Sequence, residues 1–199
     1  MTPRRRIQVW DVVVRLLHWA LAVLVAVDLL RDDGDRAHRL VGYAAVVVVL
    51  LRLGWAAVVR SHGSLAGLRP SVSQSWVYLR LVLRGQPPRS LGHNPLGLWM
   101  VWLLWILVLL LGLTGWMSRL DALWGDERVH ALHAFLANLL LVAVVLHLAG
   151  VATMSWLWKE NLAAAMVTGF KREDRHRSHT PAATELARSQ PPGENRSRG

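Results

Sequence analysis

The sequence predicts an all-α membrane protein, a four-transmembrane-helix bundle with both termini cytoplasmic. Three observations carry this prediction. Of the 199 residues, 53% are hydrophobic, the mean hydropathy is +0.30, and the apolar residues gather in long uninterrupted runs. Four of those runs, residues 12–30, 40–59, 96–117 and 131–156, reach the roughly 20 residues needed to cross a hydrocarbon core of about 30 Å. The formal charge of +10 is distributed by segment and not spread along the chain.

The first run follows a basic start, Met1 to Arg6, and has no small-residue cleavage site behind it, so it reads as a retained first helix. Between the first two runs lie Asp32, Asp33 and Asp35, and between the last two lie Asp121, Asp126 and Glu127. The segment between the second and third runs carries Arg60, Arg69, Arg80, Arg84 and Arg89 with no acid at all. By the positive-inside rule both termini and this middle segment are cytoplasmic, and the two acidic loops face outward. The charge thus follows membrane topology, with lipid as the partner and no nucleic acid.

Within the middle segment, Ser73 to Arg84 mixes Trp76, Leu79, Val82 and Leu83 with Arg80 and Arg84, the pattern of an interfacial helix serving as a surface linker. The third run opens with Gly92-His93-Asn94-Pro95, where Asn94 can cap and Pro95 suits the first helical position, so His93 reads as part of a helix start. Trp10, Trp55, Trp99, Trp116, Trp124, Trp156 and Trp158 fall near helix ends, as headgroup anchors would. Residues 7–170 form the membrane domain. Residues 171–199, polar and rich in Arg, Ser and Pro, read as a disordered cytoplasmic tail that includes His176 and His179.

The chain has no cysteine, which excludes disulfides, thiolate zinc sites, iron–sulfur clusters and thioether-attached haem. Any metal centre must use histidine. Ionisable residues inside a membrane are costly, so those that remain point to function. His18 and His147 lie at matching depth toward the cytoplasmic side, and His38 and His133 at matching depth toward the outside. His133 and His147 are 14 residues apart, which brings them to within about 40° of one helix face and separates them by about 21 Å. One ion cannot bind both. Two stacked haems can, each gripped from the other side by a second helix's histidine. His130 lies about 100° off that face.

Arg52 follows His38 by the same 14 residues and reaches the depth of His18 and His147, with Arg15 one turn from His18. Both can offer charge-assisted hydrogen bonds to the propionates of an inner haem, and Arg39 to those of an outer one. Gly42, Gly54, Gly112, Gly115 and Gly150 would let backbones approach each other or a flat macrocycle. Asp28, two residues from the outer end of the first run, reads as a snorkelling surface acid.

At Val9 to Trp19 (VWDVVVRLLHW), His38 to Tyr43 (HRLVGY), Gly92 to Gly97 (GHNPLG), Leu113 to Gly115 (LTG), His133, His147 with Gly150, and Glu160 to Arg172 (ENLAAAMVTGFKR), the chain resembles the bacterial cytochrome b561 and nickel–iron hydrogenase b-type cytochrome family. The resemblance implies two non-covalent haems b, His18 with His147 and His38 with His133, in the bacterial inner membrane. It also implies electron exchange with ubiquinone or menaquinone and with a partner such as a periplasmic c-type cytochrome or another redox subunit. The expected function is transmembrane electron transfer. Two other readings remain open: the membrane subunit of a larger hydrogenase-like oxidoreductase, and a haem-free cation or proton transporter relaying through the histidines.

Overall fold

Helix starts in this chain are written by short acids and amides whose side chains satisfy otherwise orphaned backbone amides. The computed structural model describes residues 6–31, 34–59, 68–90 and 92–172. After a short strand β1 (Arg6–Gln8), Asp11 accepts from the Val14 amide at 2.8 Å and opens α1 (Val12–Leu29). Asp35 accepts from the His38 amide at 2.7 Å and opens α2 (Arg36–Val58). The interfacial segment forms α3 (Val72–Leu83). Asn94, accepting from Gly97 at 2.6 Å with Pro95 as first residue, opens α4 (Pro95–Met117). Asp126 opens α5 (Glu127–Leu157), and Asn161 opens the short α6 (Leu162–Thr168), which runs into β2 (Phe170–Arg172), the partner of β1.

Helices α2 and α5 thus begin four residues before their apolar runs. Their first turns, Arg36–Arg39 and Glu127–His130, are too polar for hydropathy to detect, and the aspartate caps set the starts. Helices α1, α2, α4 and α5 have 18, 23, 23 and 31 residues and mean hydropathies of 2.1, 2.0, 2.5 and 2.4. These are the four spans of a multi-pass membrane bundle. Leu16, Val23, Leu50, Val145 and Leu148 stay exposed on its perimeter, where lipid replaces the water of a soluble protein.

The bundle occupies residues 8–171, and residues 1–5 and 173–199, including His176 and His179, lie outside the described residues. Extensive packing runs from α1 to α2, from α2 to α4 and from α4 to α5. Ala45, Val49 and Ala56 of α2 meet Trp105, Val108, Leu136 and Ala143 in its core. A β-carbon on Gly112 would stand 2.4 Å from Val46, so α2 and α4 can cross this closely only because that side chain is absent. Gly54 and Gly150 serve no such approach, since a β-carbon at either meets nothing within 4 Å.

At the end where α1 and α4 begin, the chain following α5 folds back as a brace. Gly169, at φ 84°, takes a left-handed cap, and its carbonyl accepts from the amides of Val9 and Trp10. A β-carbon there would lie 2.9 Å from the Trp10 carbonyl, so glycine is required twice over. Arg89 holds Glu160 in a bidentate pair at 2.9–3.2 Å, and the buried Lys171 donates to the Ser90 carbonyl at 3.2 Å. Lys171 is therefore built into the membrane domain. Several tryptophans also turn inward: Trp10 is buried against Val9 and Val14, and the indoles of Trp55, Trp99 and Trp158 donate to Asp11, Ser75 and the Pro87 carbonyl. Trp116, Trp124 and Trp156 remain exposed, in keeping with headgroup anchors.

Candidate functional site

Helix α5 presents two imidazoles, and each meets one from a different helix. His147 faces His18 of α1 with ring centres 6.4 Å apart and planes at 57°; His133 faces His38 of α2 at 6.2 Å and 79°. Metal–imidazole bonds are about 2 Å, so two rings gripping one metal from opposite sides have centres roughly 6 Å apart. Both pairs have that spacing. Among the described residues no group of three or more His, Cys, Asp or Glu side chains converges. Two imidazoles per site suit a metal whose remaining ligands come from a macrocycle. His130 belongs to neither pair; it is exposed, and its Nδ1 lies 3.0 Å from the Asp126 carbonyl of its own helix.

The pair at the end carrying residues 30–35 and 118–126, here the loop end, is anchored through its ring nitrogens. The Thr114 hydroxyl has one proton, which it gives to the Leu110 carbonyl at 2.9 Å. Its oxygen must then accept from His133 Nδ1 at 2.8 Å, leaving the Nε2 lone pair for a metal. Asp28 reaches across from α1 and sets its Oδ1 3.0 Å from His38 Nδ1. A carboxylate there favours the proton on Nδ1 and again frees Nε2. Asp28 is thus no surface acid: it faces His38 of α2. Arg39, whose guanidinium donates to the Gly34 carbonyl at 3.0 Å, stays at the exposed rim.

The pair at the opposite, terminal end has no hydrogen bond to the ring nitrogens of His18 or His147 from the described residues. Its setting is basic instead. Arg52 is buried at 6% exposure with its guanidinium 5.6 Å from the Trp105 ring centre, so it does not snorkel to the surface. Arg15 donates to the Val167 carbonyl at the end of α6. His93 does sit at a helix start, yet its ring turns inward, edge-on to Trp10 at 4.8 Å, with no hydrogen-bond partner for its buried Nδ1 among the described residues. Burial, then the nearby charges of Arg52, Lys171, His18 and His147, push its pKa down to about 4. Three of the fragments that carried the resemblance now have physical roles: Thr114 in LTG, His93 in GHNPLG and Glu160 with Lys171 in the last.

A membrane bundle that offers two opposed imidazole pairs, one near each end of a shared helix, defines the class of haem-binding membrane proteins. The family model for prokaryotic cytochrome b561 matches residues 9–169. The chain belongs to that family, whose members are membrane electron-transfer proteins that bind haem b. No curated protein gives a significant match.

Proposed function

We propose that the chain holds two haems b, one between His18 and His147 and one between His38 and His133, and passes single electrons across the membrane between the quinone pool and an external redox partner. The observation that carries this is the pair of ring spacings, 6.4 and 6.2 Å, at two positions 14 residues apart on α5. Bound haem supplies reversible one-electron chemistry at iron. His18 with His147, and His38 with His133, would hold such a haem from its two sides, a ligand set suited to electron transfer and not to oxygen or substrate binding. Arg52 and Arg15 would pair with the propionates of the inner haem and Arg39 with those of the outer one, neutralising charge that the bilayer disfavours.

The arginine-rich middle segment and the acidic short loops support a cytoplasmic terminal end and an external loop end, in a bacterial inner membrane. Family membership supports quinone exchange, with a c-type cytochrome or other redox subunit as the proposed external partner. A reduced-minus-oxidised spectrum with haem quantification tests the proposal. Two low-spin haems per chain are expected; a correctly folded, pigment-free protein sinks it.

A further inference from the structure

Asp28 is the only acid beyond the first residue of any spanning helix, and a lone carboxylate at that position is costly unless partnered. Its two oxygens have separate places. Oδ1 lies 3.0 Å from His38 Nδ1, while Oδ2 lies over Gly42, one turn further along α2, where a β-carbon would come within 3.3 Å of it. The glycine opens the space and the histidine supplies the partner. Among the described residues no carboxylate is paired with His18 or His147; the cations Arg52 and Lys171 act on His93, which also feels His18 and His147, with Asp11 near Arg52 and Glu160 near Lys171.

We propose that Asp28 is a positioning residue that makes the loop-end site the electron-donating end of the chain. It holds His38 with Nδ1 protonated, strengthens that imidazole as an axial donor, and sets a negative charge one ring away from the iron. Each of these effects stabilises the oxidised metal and lowers the loop-end potential, while the cations at the terminal end stabilise the reduced metal there. One electron released at the loop end then moves downhill to the terminal end, and the external partner is the reductant that restores it. Rearward flow is uphill. This inference rests on the two-haem proposal and adds its direction.

Redox titration of the whole protein, followed optically and by electron paramagnetic resonance, tests it. In Asp28→Asn the lower of the two midpoints should rise by roughly tenfold in the reduction constant, about 59 mV for one electron, with the upper one unmoved. Both haems retained with an unmoved lower midpoint, or a shift confined to the upper one, overturns the proposal. If Asp28→Asn loses haem, Gly42→Ala decides: it keeps the charge but crowds the carboxylate, and should raise the same midpoint by a smaller factor, an unmoved value again overturning the idea. A parent protein with fewer than two haems removes the proposed function itself, and is seen before any variant is made.

Discussion

The two histidine pairs solve the same problem by different means. At the loop end, Thr114 shares a hydrogen bond with His133 Nδ1 and the Asp28 carboxylate stands 3.0 Å from His38 Nδ1, so a polar group faces each ring. At the terminal end, His18 and His147 face each other without a polar partner on their rings among the described residues, and His93 beside them feels the cations Arg52 and Lys171. One end is specified by polar partners on its rings and the other by more distant charge. Orientation and electrostatics are thus separable tools, and substitutions can address them one at a time.

Loss of a ligand should have the largest effect. His18→Ala or His147→Ala should halve the haem content measured by extraction and remove the same haem, whereas His38→Ala or His133→Ala should remove the other. Cross-pairing, with His18→Ala and His133→Ala deleting one and the same haem, would dissolve the comparison. Next comes the field. Arg52→Ala should leave both haems bound and lower the terminal-end midpoint by on the order of 59 mV, a tenfold change in its reduction constant, because a buried cation that favours the added electron has gone.

The directional contacts are tested by Thr114→Val, which leaves the His133 N–H without its acceptor. Thermal unfolding in detergent should show a loss of about 1–3 kcal/mol, with spectral broadening confined to the loop-end haem. The smallest effect concerns His93. Its folded pKa of about 4 lies below the ordinary 6.5, so the unfolded chain binds more protons between those values and stability falls as pH drops through that window. His93→Gln should flatten the fall between pH 6.5 and 4, seen in melting temperature against pH.

The four spans and the histidine pairs were legible in the sequence because both rest on periodicity: apolar runs of membrane length, and a 14-residue interval that returns to one helix face. Asp28 is not legible as a partner of His38, because its distance from the helix end says nothing about its direction. His93 was read correctly as part of a helix start, since Asn94 does cap α4, but spacing does not reveal that a loop residue turns its ring into the bundle. The contact of Arg15 with the Val167 carbonyl is likewise illegible, because no apolar run announces α6. Contacts made by chain that folds back from a distance leave no local pattern to read.

Helix α5 carries one member of each pair, and this makes its length a specification. The 14 residues from His133 to His147 act as a spacer bar whose stiffness belongs to the helix backbone, so the two sites cannot drift in separation or in bearing independently. Exchange of its exposed leucines and valines leaves the bar unchanged. A single residue inserted between the histidines would swing one imidazole about 100° around the axis and slide it about 1.5 Å along, breaking register with whichever partner lay beyond the insertion.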